Sequence, residues 1–309
     1  MSVVEIENLT KQFGQLTVLD NISLQVEKGE VFGFLGPNGA GKTTTLRLLL
    51  GLLEPTSGTA LVFGERLGPK DGLRRGIGVL LEHDALYKRM SAYDNLDYYA
   101  RLYDVADRRQ KVDQLLDFVD LLDRKDEPIA RYSTGMRRKL SIARALVHDP
   151  EILFMDEPTA GLDPEAQTMI RDVIIELSGN KMITVFLNSH NLYEVQRICT
   201  KVGILRGGRI KAYDYIENLR NPGGQPLLDI AVAGGDDAAV AQQLLRASPL
   251  VSAVEVNGTT VSVTLSGSSG PEIISLLVAN GVRIEEVTRV VRSLEDIYLE
   301  TLGEMEATS

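Results

Sequence analysis

The sequence predicts an α/β protein with a mostly parallel core sheet, a small antiparallel β subdomain, an inserted helical subdomain and a C-terminal α+β domain. Three observations support this fold class. Short apolar strands alternate with amphipathic helices over residues 31–205, two leading segments alternate apolar and polar residues, and the strand pattern disappears between about residues 85 and 150. Buried strands alternating with helices are typical of parallel sheets, whereas a period of two indicates half-exposed antiparallel strands.

The elements follow in order along the chain. Residues 3–7 and 22–26 are expected to pair as antiparallel strands in a small sheet beside the core. Core strands are predicted at residues 31–35, 77–81, 152–155, 183–187 and 202–205. Apolar residues at helical spacing predict the inserted subdomain at residues 96–103, 112–122 and 140–147.

Residues 221–226, Asn-Pro-Gly-Gly-Gln-Pro, break any regular element and predict a linker between domain 1–220 and domain 227–309. The order β-α-β-β-α-β after the linker resembles a ferredoxin-like domain, with a further helix near residues 294–302. Asn257-Gly258 predicts a tight hairpin within it. No cluster of catalytic or metal-ligand character occurs in this part of the sequence.

The bulk properties exclude several classes of function. The 309-residue chain carries a formal charge of -10 and one cysteine, Cys199, so a nucleic-acid partner is not expected and no internal disulfide can form. No apolar run is long enough to cross a bilayer, and the first residues do not resemble a secretory signal. These features together predict a cytoplasmic protein.

The strongest motif is a glycine-rich loop that follows an apolar strand and precedes a helix, which is the context of a phosphate-binding P-loop. Lys42 is expected to neutralise the β- and γ-phosphates of a nucleotide, and Thr43 to bind magnesium. Backbone N–H groups of the loop would close around the phosphates at the helix N-terminus. The expected nucleotide-binding residues are Gly36, Asn38, Gly39, Ala40, Gly41, Lys42, Thr43 and Thr44.

A second motif is the apolar strand at 152–155, which ends in Asp156 and Glu157. Asp156 can hold the magnesium shell, and Glu157 can act as the general base that polarises the attacking water. Taken alone, this segment would be read as an ordinary strand that runs into an acidic turn.

Together with these motifs, Tyr132-Ser133-Thr134-Gly135-Met136 has the position and form of the ABC signature, and Ala160-Gly161-Leu162-Asp163 and Asn188-Ser189-His190 follow in family order. Residues 1 to about 220 therefore resemble an ABC transporter ATP-binding protein, a P-loop NTPase. Thr134 and Met136 replace the more common Gly and Gln, as in ATPases of ABC-2 type exporters of antibiotics and drugs. Glu82 stands where the family usually has the Q-loop glutamine.

The resemblance implies a role for each matching residue. Phe13 would stack on adenine, Ser133 and Gly135 would contact the γ-phosphate of ATP held by the opposite subunit, and Asp163 would lie in the loop between the two sites. His190 would sense the γ-phosphate and assist catalysis beside Glu157 and Lys42, and Glu82 would join Thr43 and Asp156 as a magnesium ligand. Singly, Phe13 could be a core aromatic, Ser133 a helix cap and His190 a loop histidine bonded to backbone.

Two further segments bear on partners. Five of the ten tyrosines fall between residues 87 and 103, beside the loop that family members use to receive a helix of the membrane subunit. They could form that interface or pack on their own domain. The basic run Arg137-Arg138-Lys139 is expected to be a solvated helix face.

We therefore predict an ATPase with ATP and Mg²⁺ as ligands, working as a homodimer or beside a homologous ATPase subunit. ATP-driven closure of the dimer would power a separate permease, of ABC-2 type, from the cytoplasmic face of the membrane, in the direction of export. The alternatives are an ABC ATPase that performs no transport and a regulatory module that holds ATP without turnover.

Overall fold

The computed structural model of the chain describes residues 1–68, 72–81, 84–179, 182–221, 227–267, 270–290 and 292–306. It divides into two compact units, Met1–Tyr215 and Ile216–Ser309. In the described part of the chain, no helix is both long enough and apolar enough to cross a membrane.

In the described residues of the first unit, the strands form two sheets and six α-helices connect them. Its strands are β1 (Ser2–Phe13), β2 (Leu16–Glu27), β3 (Val31–Leu35), β4 (Ser57–Val62), β5 (Ile77–Leu80), β6 (Ile152–Asp156), β7 (Thr184–Ser189), β8 (Lys201–Arg206) and β9 (Arg209–Tyr215). Its helices are α1 (Lys42–Leu49), α2 (Ala92–Leu102), α3 (Arg108–Phe118), α4 (Thr134–Ala145), α5 (Pro164–Gly179) and α6 (Leu192–Ile198).

The core sheet has the order β5-β6-β7-β3-β8-β9, in which all neighbours are parallel except the β8–β9 pair. Every residue of β3, β6 and β7 is buried, which explains why these strands are continuous apolar runs in the sequence. Phe32, Phe154 and Phe186 pack with ring centroids 5.2 to 5.6 Å apart, and each buried ring contributes about 1.5–3 kcal/mol. The carboxyl ends of these strands therefore lie on a rigid base.

A second sheet, β2-β1-β4, is antiparallel and confirms the predicted antiparallel subdomain. Its first two strands are longer than the sequence pattern indicated, and β4 was not predicted. Helices α2, α3 and α4 form the inserted helical part between β5 and β6. The predicted helix at 112–122 is wrong at its end, because α3 stops at Phe118 and Asp120 has a left-handed backbone with φ +53°.

The second unit contains α7 (Ile216–Arg220), β10 (Leu227–Val232), α8 (Gly235–Arg246), β11 (Val251–Asn257), β12 (Thr260–Leu265), α9 (Gly270–Ala279), β13 (Ile284–Val290) and α10 (Leu294–Glu306). The antiparallel sheet order β11-β12-β10-β13 is that of a ferredoxin-like domain. Its own apolar core includes Ile230, Val263 and Leu277.

The division between the units falls after Tyr215, whereas the sequence placed the boundary at the linker 221–226. Helix α7 belongs to the second unit, where Arg220 Nε donates to the carbonyl oxygen of Arg292 at 2.9 Å. Residues 222–226 of the predicted linker lie outside the described residues.

Candidate active site

The loop between β3 and α1 forms the base of the site. A Cβ atom on Gly36 would lie 2.4 Å from the carbonyl oxygen of Leu205, so only glycine fits where the loop leaves the sheet. Gly41 has φ +111°, a backbone conformation that favours glycine, immediately before α1 begins at Lys42. The Lys42 side chain folds back over the loop, and its Nζ donates to the Gly36 carbonyl at 2.6 Å. The loop geometry therefore places an ammonium group at the N-terminus of α1.

The carboxyl end of β6 faces this loop. Thr43 Oγ1 donates to Asp156 Oδ2 at 3.2 Å, and Asn188 Nδ2 donates to Asp156 Oδ1 at 3.0 Å. The second contact follows from sheet register, because Asp156 pairs with Asn188 between parallel strands β6 and β7. Asp156 is 6% exposed, and both of its carboxylate oxygens are held by neighbours. Its orientation beside Thr43 is thus fixed.

Glu157 is the next residue and lies in an unusual backbone conformation. Its φ is +48°, which costs a residue other than glycine about 1–3 kcal/mol. Its N–H donates to the carbonyl of Asn188 at 3.0 Å. Its side chain lies between two groups, with Oε2 2.9 Å from His190 Nδ1 and Oε1 3.6 Å from Lys42 Nζ. The carboxylate therefore bridges an imidazole and an ammonium at the mouth of the loop.

A single pocket contains most of the predicted residues. The described residues that line it are Val18, Pro37, Asn38, Gly39, Ala40, Gly41, Lys42, Thr43, Thr44, Asp156, Glu157, Ala160 and His190. Such a pocket combines a helix N-terminus, a cation, a hydroxyl and two carboxylates, which is a set suited to a phosphate chain and a hard metal ion.

Ser133, Gly135 and Asp163 lie elsewhere, in a second pocket of the same unit that Met136, Lys139 and Ala166 also line. Ser133 caps α4 by accepting from the Met136 N–H at 3.2 Å, and Asp163 Oδ1 accepts from the Ala166 N–H at 2.8 Å. Within one chain, the structure therefore does not bring the signature residues to the P-loop pocket.

Comparisons with known proteins agree with this geometry. The family model described as ABC transporter matches residues 19–160. The chain is 36% identical to the uncharacterized ABC transporter ATP-binding protein YhcH of Bacillus subtilis, over 98% of this chain and 97% of that protein. It is 34% identical to the Nod factor export ATP-binding protein I of Cupriavidus metallidurans, over 98% of each chain.

The chain belongs to the ABC transporter ATP-binding protein family. Among solved structures, cbiO1 of Clostridium perfringens, part of the cbiONQ transporter complex, superimposes with a TM-score of 0.66 at 25% identity, covering 80% of this chain and 96% of that one. As a nucleotide-binding subunit of an ABC transporter, the chain binds and hydrolyses ATP, and subunits of this kind dimerise and pair with a membrane permease.

Phe13 and Glu82 were also predicted to belong to the P-loop pocket. Phe13, at the end of β1, does not appear among the described residues that line it; its ring is 47% exposed, with Lys11 Nζ 4.8 Å from the ring centroid. Glu82 lies outside the described residues, so its predicted place in the magnesium shell stays a prediction.

The oxygen atoms that line the P-loop pocket are suitable ligands for magnesium. Thr43 supplies a hydroxyl and Asp156 a carboxylate oxygen on the same side of the loop, 3.2 Å apart. In the part of the chain that the structure describes, no group of three or more His, Cys, Asp or Glu side chains could hold a metal ion. Mg²⁺ does not need such a group, because it binds through one or two carboxylates with waters and substrate phosphates.

Sequence reasoning missed Arg138. The expectation of a solvated basic face is wrong at Arg138 and Lys139, which are 6% and 8% exposed, because α4 turns both side chains into the domain. The Arg138 guanidinium donates to the backbone carbonyls of Asp156, Glu157, Pro158 and Leu81 at 2.6 to 3.1 Å. Only the i,i+4 spacing of Arg138 with apolar Ile142 could have indicated its inward direction.

The sequence analysis also gave no indication of the role of Glu194 in α6. Its Oε2 accepts from Thr159 Oγ1 at 2.6 Å and from Ser189 Oγ at 3.4 Å, which links the segment after Glu157 to the one before His190. Glu194 is 3% exposed, and burial raises the pKa of its carboxyl despite these two hydrogen bonds. A glutamate on a short helix carries no sequence signal of such burial.

Proposed function

We propose that two copies of this chain, or this chain and a homologous subunit, hold ATP at two composite sites and power export through a separate ABC-2 type permease at the cytoplasmic face of the membrane. The observation that carries the proposal is the Glu157 carboxylate, held 2.9 Å from His190 and 3.6 Å from Lys42 at the mouth of the P-loop pocket.

The chemistry requires a base, a positioned nucleophile and charge stabilisation. Glu157 accepts a proton from the water that attacks the γ-phosphate, and His190 fixes the orientation of its carboxylate. Lys42 and the N–H groups of the first turn of α1 stabilise the negative charge of the phosphates. Phosphoryl transfer needs little covalent help from protein, so positioning and electrostatics account for most of the rate.

Thr43 and Asp156 are the residues proposed to hold magnesium, together with Glu82. When bound, the ion supplies neutralisation of charge on the β- and γ-phosphate oxygens. The hydrogen bond from Asn188 to Asp156 keeps one carboxylate oxygen turned away from the pocket and leaves Oδ2 facing Thr43. Asn188 therefore acts as an outer support of this ligand.

The signature residues are proposed to complete the site of the partner subunit. Ser133 and Gly135 lie at the N-terminus of the twelve-residue helix α4, where N–H groups without intrahelical partners favour an anion. Because they line a different pocket from Lys42, they would contact the γ-phosphate only across a dimer interface. Asp163, in the second pocket, would lie between the two sites, and Phe13 would stack on adenine with its exposed ring face.

A tyrosine cluster supports the permease contact. Tyr87, Tyr98 and Tyr99 lie with ring centroids 5.4 to 6.4 Å apart, and Tyr87 and Tyr98 remain 48% and 44% exposed. Tyr103 instead stacks on His148 at 4.1 Å, so packing on the same domain accounts for part of the enrichment. We assign the exposed rings to the interface with the membrane subunit.

The proposal also covers the direction of transport, the location of the chain and the role of the second domain. The relative named for Nod factor export, together with Thr134 and Met136 in the signature, favours export from the cytoplasmic face. The described residues that line the P-loop pocket all belong to the first unit, and we propose that residues 227–309 act on dimer lifetime or permease coupling.

Phosphate release tests the enzymatic part. The purified chain with Mg-ATP should release phosphate, and Lys42→Ala should abolish the release; ATP binding without turnover would favour the regulatory module instead. Co-expression with the membrane protein encoded in the neighbouring reading frame tests the transport part. Failure to co-purify with any such protein would favour an ABC ATPase that performs no transport.

A further inference from the structure

The Arg138 side chain belongs to the fifth residue of α4, three residues after Gly135, and is almost fully buried in the first unit. Among the described residues, it donates to four backbone carbonyls: Nε to Pro158 at 2.7 Å, Nη1 to Leu81 at 2.6 Å, and Nη2 to Asp156 at 3.1 Å and Glu157 at 2.6 Å. Three of the four acceptors are consecutive residues at the end of β6. The planar fork of arginine carries five N–H donors on three nitrogens, so it can reach acceptors that lie farther apart than the three N–H donors on the single nitrogen of lysine can reach.

These three carbonyls surround the strained residue of the active site. Glu157 has φ +48°, a conformation that persists only when neighbouring contacts determine it. Its N–H is fixed by Asn188 from β7, and its carbonyl is fixed by Arg138 from α4. The peptide groups on both sides of Glu157 Cα are thereby held from two elements, and the direction of the side chain toward His190 follows from that backbone.

The fourth acceptor extends the connection. Leu81 directly follows β5, so Arg138 joins α4 to the ends of both β5 and β6. Movement of α4 relative to the core sheet would therefore be transmitted to the backbone of Glu157, because Arg138 bonds to that backbone. Lys42, by contrast, is held within the P-loop itself, where its Nζ donates to the carbonyl of Gly36.

We propose that Arg138 is a positioning residue for ATP hydrolysis. It holds the backbone of Glu157 in its left-handed conformation and connects that backbone to helix α4. The inference rests on the proposed function, in which Glu157 is the general base. Arg138 is not among the described residues that line the P-loop pocket, so it acts on turnover and not on ATP affinity.

Arg138→Gln and Arg138→Lys test this, with Arg74→Gln as the matched control. Arg74 lies in the same unit and likewise donates to backbone carbonyls, those of Gly68 and Leu50 at 3.0 to 3.2 Å, but none of them belongs to the active site. For each variant, kcat, the KM for ATP, equilibrium ATP binding and the melting temperature are measured beside the wild type.

Arg138→Gln should lower kcat by about tenfold to a hundredfold, the range expected when a reacting group is misplaced by about 1 Å, while ATP affinity stays within about twofold. Arg138→Lys keeps the charge but cannot span the acceptors, so its kcat should lie between those of Gln and wild type. Arg74→Gln should lower the melting temperature with kcat unchanged.

The inference is overturned if Arg138→Gln has wild-type kcat, or if Arg74→Gln loses as much kcat as Arg138→Gln, since the effect would then be general destabilisation. If Arg138→Gln does not fold, Arg138→Lys decides: reduced kcat at unchanged affinity supports the inference, and wild-type kcat overturns it. Failure of the proposed function is distinguished because the wild-type chain would then release no phosphate.

Discussion

Replacement of Glu157 by Gln removes one property of the site and keeps most others. Glutamine has nearly the same size, and its side-chain carbonyl can still lie beside His190 Nδ1, which is 2.9 Å from Oε2 in the wild type. The backbone strain at φ +48° is the same for both residues. The variant loses the negative charge and the ability to take a proton from water.

The substitution is expected to lower turnover but not to lower ATP affinity. Loss of a general base lowers turnover by about 100-fold to 10,000-fold. Loss of the charge leaves Lys42 without the carboxylate that lies 3.6 Å from its Nζ. Unit charges about 4 Å apart attract each other by about 4 kcal/mol at an effective dielectric constant of about 20, and water at the open pocket reduces this figure. Lys42 is then freer to bind phosphate, so ATP affinity should stay equal or rise.

Three measurements check this: phosphate release, equilibrium ATP binding, and size-exclusion chromatography with ATP, in which the variant should accumulate as a closed dimer. Glu176→Gln, an exposed glutamate of α5, is the control and should behave as wild type. Wild-type turnover of Glu157→Gln would remove Glu157 from its role. A folded variant with weakened ATP binding would refute the argument about Lys42.

Three other changes test the remaining parts of the site and fold. Lys42→Ala should lower ATP affinity at least about tenfold in calorimetry, because a charge-assisted hydrogen bond contributes about 1.5–3 kcal/mol; unchanged affinity would contradict its position over the phosphates. A chain ending at Tyr215 should fold and bind ATP normally, because the P-loop pocket and its core lie before that residue; a folded fragment that binds no ATP would contradict this. Glu194→Gln should gain stability relative to wild type as pH rises. Because the pKa of Glu194 is raised in the folded state, the folded wild type is stabilised by protonation of this carboxyl. The wild type loses that stability as pH rises through the folded pKa, and the Gln variant does not. Urea unfolding at about pH 5 and about pH 8 measures it, and an equal difference at both values would contradict it.

Much of the fold was predictable because the core strands are buried on both faces. Strand β3 has the predicted bounds, and β5 and β6 differ from prediction by one residue each at their ends. The unpredicted strands β4 and β9 lie at the edges of their sheets and have mixed burial. An edge strand forms because a partner strand is available, and that partner is not visible in the local sequence.

The site divides in the same way. The motifs predicted that Lys42, Thr43, Asp156 and Glu157 serve one nucleotide, and the structure brings all four to one pocket, while their chemical roles stay predictions. The contact between Glu157 and His190 depends on the adjacency of β6 and β7. Arg138 was misread because a run of basic residues usually faces water, and its burial depends on the backbone carbonyls that α4 meets in the folded chain.

In the proposed pair, helix α4 is connected both to the partner subunit and, through Arg138, to the active site of its own subunit. The first turn of the helix carries Ser133 and Gly135, which in the proposed pair contact the ATP of the partner subunit. Arg138, one turn later, holds the carbonyl of Glu157 in its own subunit. A helix is stiff over one turn, so a shift that seats Gly135 on the partner's γ-phosphate also moves the anchor of Glu157. The two proposed sites are then coupled through helix α4 of each subunit. ATP bound in one site supports the geometry of the general base in the other site. This coupling requires no contact between the two nucleotides.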